Sequence, residues 1–242
     1  MASSAPLRFN RKVQSAPQQI ASLIKESILE GALGPGSKLP SEEEMTELFG
    51  VSRPTLRDAL RDLRARHVLE AERGRNGGYR VGDLSLVTLG DSVGEFISLS
   101  LGANKLTFGQ LYEVRAALEV LSASTAALER TDADLVVLER ALADVLDAPD
   151  QLPEVFRRDA AFHHSLAECT HNPLMIGFSG AAAIAFRQLT VDEDTLKPKD
   201  VLAHLDEVTE AVRAGDPRAA TAAMRRHTNR FADYFGVTPS LE

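Results

Sequence analysis

Apolar residues recur at helical spacing along nearly the whole chain, and the exception is one short stretch. Ile20, Leu23, Ile24 and Ile28 mark a first helix over residues Ala16 to Glu30, and GALGPGSK then turns the chain. Ser41 followed by Glu44 forms a capping box for a short helix. That helix carries Met45, Leu48 and Phe49 on one face and stops at Gly50. Ser52 caps the next helix, with Pro54 in its first turn, where a missing amide hydrogen costs nothing. Leu56, Leu60 and Leu63 face inward there, while Arg53, Arg57, Arg61 and Arg64 face out. Two strand-like runs follow, Val68 to Glu72 and Tyr79 to Val81, joined by RGRNGG. Two helices around a tight turn, the second capped and cationic, followed by a hairpin, predict a winged helix-turn-helix.

Beyond Gly82 the pattern becomes helical throughout. A short helix between Leu86 and Leu99 lies in DLSLVTLGDSVGEFISLSLGANK. Thr107 and Gln110 then box the start of a helix reaching about Leu128, and Thr131 opens another that ends near Ala148-Pro149. A third runs from Pro153 to about Cys169, and a fourth from Asn172-Pro173 to about Thr190. A fifth runs from Pro198 to Gly215, and a sixth from Asp216-Pro217 to Gly236. Six or seven antiparallel helices on short loops make an all-α bundle. The fold class is therefore mainly α: an N-terminal winged helix-turn-helix domain plus a C-terminal all-α antiparallel helical bundle. The expected divisions are a mobile tail over 1–15, the winged domain over 16–82, a linker and first helix over 83–106, and an all-α domain over 107–242.

The N-terminal half resembles the DNA-binding domain of the GntR family of bacterial transcription regulators. The resemblance rests on LPSEEEMTELFGVSRPTLRDALRDL followed by a wing ending GGYRVG, and it covers residues from about Gln18 to Gly82. His67 departs from the family, which usually has Gly there, and predicts mild strain at positive φ.

Charge changes the picture only once it is divided. The 242 residues carry 27 Lys or Arg and 35 Asp or Glu, a net of −8 that argues against nucleic acid. Residues 1–82, however, hold 13 basic against 10 acidic residues, and the remainder 14 against 25. The basic excess sits on the half expected to meet phosphate, and the acidic half is repelled by it. The single Cys169 allows no intrachain disulfide and fits a reducing cytoplasm; its plainer reading is a small buried hydrophobe. No run approaches a membrane span, and no N-terminal stretch has a signal-peptide layout.

Three helices of the bundle share an oddity. One inward stripe reads Val155, Phe156, Asp159, Phe162, His163, Leu166; a second Val201, His204, Val208, Ala211; a third Ala220, Met224, His227, Phe231. Each sets ionisable groups within an apolar face, where an unpaired carboxylate is costly. Asp159 and His163, at i and i+4, project from one side of a helix. Singly, each has a bland explanation: a buried His is usually a hydrogen-bonded core residue, and Asp159 has Arg157 and Arg158 nearby. Four coincidences weaken that explanation, and His164 and His171 fall off the stripes.

DAAFHHSLAECTHNPL, HLDEVTEAVRAGDPRAA and MRRHTNRF resemble the FCD ligand-binding domain of the FadR subfamily of GntR regulators, over roughly residues 90–236. The resemblance implies a divalent metal held by Asp159, His163, His204 and His227, with Zn, Ni, Mn or Fe all admissible. Coordination left open would accept a small carboxylate-containing effector. Arg115, on the Leu111, Val114 and Leu118 stripe, is the candidate to fork onto that carboxylate, an i, i+4 pair with Glu119 being the equally weighted alternative. Asn172 before Pro173 reads as an ordinary helix stop.

For double-stranded DNA, Arg53 and Arg57 on the recognition helix are candidates for base edges or adjacent phosphates. Ser52, Thr55 and Lys38 are candidates for phosphate, and Arg73, Arg75, Asn76 and Gly77 at the wing tip for the minor groove. Arg61 and Arg64, interleaved with Asp58 and Asp62, read as a solvated face. The family resemblance implies a homodimer on a palindromic operator. Three functions remain in view: an effector-responsive regulator, a metal-dependent enzyme tethered to DNA, and a sensor of the metal ion itself. No placed general base accompanies the stripes, since Glu168 falls off them. The first reading is therefore adopted, with no enzymatic activity expected.

Overall fold

In the computed structural model, which describes residues 14–72, 74, 77–148, 151–186, 197 and 201–232, the chain separates into two units, Met1–Leu84 and Ser85–Glu242. The first unit comprises α1 (Ala16–Leu29), α2 (Glu42–Phe49), α3 (Arg53–Ala65), β1 (Leu69–Glu72) and β2 (Gly78–Val81). Both recognition-motif helices are closed by their own side chains. At α2 the Ser41 amide donates to Glu44 Oε2 at 2.7 Å and the Glu44 amide to Ser41 Oγ at 3.2 Å, while Gly50 ends the helix at φ +63°. At α3 the Thr55 amide donates to Ser52 Oγ at 3.4 Å.

Helix α3 stops because His67 turns left-handed at φ +56°, closing on Arg64 O at 3.0 Å, and Val68 N returns to Leu63 O at 2.9 Å. A side chain at that φ carries the strain that a glycine avoids. The hairpin pairs Leu69 with Val81 and Glu72 with Gly78, and Lys38 adds a bridge to Arg80 on the far side of β2. Ile20, Ile24, Met45, Leu56, Leu60, Leu63, Leu69 and Val81 make one core. Each such side chain removed from water stabilises the fold by roughly 1.5–3 kcal/mol. Leu48 is an exception to the expected face of α2: it is 72% exposed, whereas Met45 is buried and Phe49 packs against the core.

The second unit is helical throughout its described residues: α4 (Leu86–Gly102), α5 (Phe108–Glu129), α6 (Asp132–Leu146), α7 (Leu152–Glu168), α8 (Pro173–Phe186), α9 (Leu205–Ala214) and α10 (Pro217–Ala232). Thr107 and Thr131 box α5 and α6 through Gln110 and Asp134. Asn172 accepts from the Leu174 amide at 3.0 Å to open α8, and Asp216 from Arg218 and Ala219, both at 3.0 Å, to open α10. Helix α5 packs against α7, α8, α9 and α10, so residues on its inner face meet several partners. Helices α4 and α8 approach closely enough that a Cβ on Gly90 would stand 2.5 Å from Gly177 O. Phe162, Leu138, Leu166, Leu205, Val208 and Met224 fill the main core.

One expected element differs. No continuous helix carries a stripe from Val201 to Ala211, because His204 adopts φ +72° and α9 begins only at Leu205. Residues 198–200, 187–190 and 233–236, where the expected fifth helix began and the fourth and sixth ended, lie outside the described residues, as do 1–13.

Candidate functional site

The outer face of α3 presents Arg53, Arg57, Arg61 and Arg64 to solvent, with Leu56, Ala59, Leu60 and Leu63 buried behind them. The acidic first turn of α2 lies alongside: Glu42 Oε2 accepts from Arg57 Nε at 2.9 Å, and Glu43 Oε1 is 3.5 Å from an Arg53 terminal nitrogen. Arg61 pairs with Asp58 at 3.1 Å and Arg66 with Asp62 at 3.0 Å. Exposed pairs of this kind contribute about 0–1 kcal/mol, so exchanging them for phosphate costs little. Ser52 and Thr55 share a hydroxyl contact of 2.8 Å at the start of α3, and Lys38 is exposed beside β2. Arg73, Arg75 and Asn76 lie outside the described residues. Gly77 is required by the hairpin itself, since a Cβ there would meet Glu72 O at 2.5 Å.

Within the second unit α7 contributes Asp159 and His163, four residues apart and both on its buried face. Helix α10 brings His227 to them. His163 Nε2 and His227 Nε2 face each other at 3.1 Å, and Asp159 Oδ1 lies 3.4 Å from His163 Nε2. His227 Nδ1 is 2.8 Å from Ala203 O. A carbonyl can only accept, so Nδ1 carries the proton and Nε2 turns a lone pair inward. Helix α5 supplies Arg115 and Glu119. The guanidinium pairs with Glu119 and, at 3.2 Å, with Asp159 Oδ2, while lying 4.5 Å above the Phe186 ring. Tyr112 on the same helix donates to Thr228 O, next to His227.

These groups are almost completely removed from water: Asp159, His163 and His227 are 2–3% exposed. Burial pushes the His227 imidazolium down to about 4, with His163 beside it acting in the same direction, so the ring is neutral at pH 7. Burial would raise the Asp159 carboxyl, but His163, Arg115 and His227 outweigh it and hold the group below the ordinary carboxylate range. Asp159 Oδ1 and His163 Nδ1 remain buried with no hydrogen-bond partner among the described residues.

Two buried carboxylates against one guanidinium leave a negative excess around unprotonated imidazole nitrogen, which is the chemistry of a divalent-cation site. Two nitrogens bound to one ion at about 2.0–2.1 Å each stand about 3 Å apart when they subtend a near-right angle, which matches the His163–His227 separation. Glu119, His163 and His227 each offer a ligand atom within 4.8 Å of the others. The residues present fit a metal ion.

Of the sequence-derived ligand set, the structure thus brings Asp159, His163 and His227 together. His204 stands apart: at the left-handed N-cap of α9 its ring turns to Glu207, with Nδ1 3.1 Å from Oε1. Asp159 pairs with Arg115 rather than with Arg157 or Arg158, which both hold Glu154. Arg115 makes the expected i, i+4 pair with Glu119 and also reaches Asp159. His164 and His171 lie away from the cluster on Glu168 and Asp134. Glu119 was considered only as a partner for Arg115. Its signal is a lone acid on a helical row with Tyr112, Ala116 and Ala123, all buried.

A cationic recognition helix with a hairpin wing, joined in one chain to a helical bundle with a buried carboxylate–imidazole cluster, is the architecture of a DNA-binding regulator with a separate C-terminal domain. The comparisons make that class particular. Residues 16–78 match the bacterial regulatory proteins of the gntR family, and residues 110–230 match the FCD domain. A helix-turn-helix-type transcriptional regulator of Mycobacterium tuberculosis is 33% identical over 223 residues, 90% of this chain and 89% of that one. The regulator LutR of Bacillus subtilis is 30% identical over 215 residues, 85% of this chain and 94% of its own length. The Glc operon transcriptional activator of Escherichia coli is 34% identical over 162 residues, covering 65% of this chain and 61% of that protein. The solved Streptococcus agalactiae GntR structure aligns with a TM-score of 0.64 at 27% identity, over 90% of this chain and 99% of that one. The chain belongs to the GntR family and is a transcriptional regulator of the GntR/FCD type.

Proposed function

We propose that this regulator reads a palindromic operator as a homodimer and that a small organic acid, bound at a divalent-metal site in the C-terminal bundle, sets its affinity for DNA. The observation that carries the sensory half is that His163 Nε2 lies 3.1 Å from His227 Nε2 and 3.4 Å from Asp159 Oδ1, a buried atom with no hydrogen-bond partner among the described residues. In this reading Asp159, His163 and His227 hold the ion, which supplies a Lewis-acidic centre for a carboxylate. His204 joins them only if its ring leaves Glu207. The domain division follows the same roles, with DNA reading over 16–82 and sensing over 107–242, in a cytoplasmic protein.

Charge supports an anionic effector. Asp159, Glu119 and Arg115 together carry one net negative charge; a divalent ion reverses its sign, and a carboxylate then restores neutrality. Arg115 already lies in the cluster and offers donors in a fixed fork. At the other end, Arg53 and Arg57 are assigned to the major groove, Ser52, Thr55 and Lys38 to phosphate, and the wing residues Arg73, Arg75, Asn76 and Gly77 to the minor groove. Control of DNA binding requires that the effector favour one arrangement of the protein over another.

The test is operator binding with chelated protein, with added Zn, Ni, Mn or Fe, and with metal plus a panel of hydroxy, keto and sugar acids. A change in affinity needing both metal and acid supports the proposal. A response to metal alone identifies a metal sensor. Turnover of an added acid identifies an enzyme. No response to any acid in the metal-loaded protein rejects the effector.

A further inference from the structure

Glu119 is close enough to His163 and His227 to be counted among the ligands of an ion, yet the ring it approaches has only two nitrogens, and they point away from each other. His163 Nε2 looks toward His227 Nε2 at 3.1 Å and Asp159 Oδ1 at 3.4 Å. The nearest His163 atom to Glu119 Oε1 is instead Nδ1, at 3.5 Å. One ion cannot sit on both lone pairs. On the Nε2 side it meets His227 and Asp159, the two groups nearest that nitrogen, whereas on the Nδ1 side the nearest carboxylate is Glu119.

The geometry points to Glu119 as a positioning residue that acts through His163 and does not touch the ion. This inference rests on the proposed metal site and assigns its outer layer. With Nε2 given to the ion, the ring proton of His163 moves to Nδ1, a buried nitrogen with no hydrogen-bond partner among the described residues. Glu119 Oε1 is the acceptor beside it, and a tilt of the ring by a few tenths of an ångström closes the contact to hydrogen-bond length. His227 displays the same plan already completed, with Nδ1 on Ala203 O at 2.8 Å and Nε2 inward. Asp159 follows it too, keeping Oδ2 on Arg115 at 3.2 Å and leaving Oδ1 open. Each of the three ligands is thereby aimed by a second group, and Arg115 aims two of them by pinning Glu119 as well as Asp159.

Cobalt(II) titration of the full chain, followed by visible absorption and calorimetry, tests this. Absence of binding by the parent protein rejects the metal site itself. Given binding, Glu119→Gln is expected to keep the shape of the cobalt spectrum while weakening affinity roughly tenfold to hundredfold. A changed spectrum makes Glu119 a ligand, and unchanged affinity makes it a bystander; either result overturns the inference. Should that variant fail to fold, ring-nitrogen NMR of the zinc-loaded parent protein decides. The expected result is His163 protonated at Nδ1 and metal-bound at Nε2, and the reverse assignment overturns it.

Discussion

The two units use charge under opposite conditions. On α3, Arg57 meets Glu42 at 2.9 Å with its side chain 61% exposed; in the bundle, Arg115 meets Asp159 at 3.2 Å with side chains 14% and 4% exposed. The distances are alike and the consequences are not. In water the first pair is screened and readily exchanged, which suits a surface that must trade a protein carboxylate for a phosphate. Buried, the second pair has no solvent to fall back on, so each member is fixed by the others and a missing charge is felt throughout. Reading DNA needs replaceable partners, whereas the buried cluster holds partners that water cannot replace.

The sharpest way to break this contrast is to truncate one member of each pair. Asp159→Ala leaves Arg115 half-paired inside the bundle and is expected to cost about 3–5 kcal/mol in urea unfolding of metal-free protein. Arg57→Ala is expected to change unfolding by less than about 0.5 kcal/mol. Comparable losses would mean that burial does not separate the two pairs. The ranking inverts in DNA binding. There Arg57→Ala is expected to lose about 1–3 kcal/mol, roughly tenfold to hundredfold, on an operator selected from random duplexes. Arg64→Ala is expected to stay within about twofold, as a solvated position should. Equal losses at Arg57 and Arg64 in a fluorescence anisotropy titration would contradict the orientation assigned to α3.

What was legible in the sequence divides along the same line. The winged unit is specified by local signals: Ser41 with Glu44, Gly50, Ser52 with Pro54. Each reports on its own few residues, and the caps and strands fall within a residue or so of expectation. The centre in the bundle joins α5, α7 and α10, which meet only through packing. Asp159 and His163 were visible because one helix carries both. His227 was visible because an imidazole interrupts an apolar row. His204 was placed on a helix that its own left-handed backbone interrupts, a feature periodicity does not register. Glu119 was hidden by its neighbour, since an i, i+4 pair with Arg115 accounts for it without reference to any other helix.

Acid should separate the units by a smaller margin. Unfolded, His227 takes up its proton near the ordinary value of 6.5, whereas in the folded bundle it does so only near 4. The unfolded chain therefore binds more protons between those values, and stability falls as pH falls from about 6.5 toward 4. Asp159, held below its ordinary value, keeps contributing until lower pH. Thermal unfolding of chelated protein should drop by several degrees across that window. His227→Gln, which has nothing to titrate there, should flatten the dependence, and an unchanged slope would place the titrating group elsewhere.

The smallest effect tests whether the two caps of the recognition motif serve different ends. Ser41 takes part in a reciprocal pair of bonds, 2.7 Å and 3.2 Å, at a helix whose first turn is Glu42, Glu43 and Glu44. Ser52 accepts a single longer bond of 3.4 Å and shares its hydroxyl with Thr55. Ser41→Ala should therefore cost about 1 kcal/mol of stability and Ser52→Ala less. In operator affinity the order should reverse if Ser52 makes the phosphate contact proposed for it, since Ser41 lies behind an acidic turn that phosphate repels. If both substitutions lower stability and DNA binding in step, Ser52 is only a cap, and the hydroxyl contact to phosphate is withdrawn from the head while Arg53 and Arg57 keep theirs.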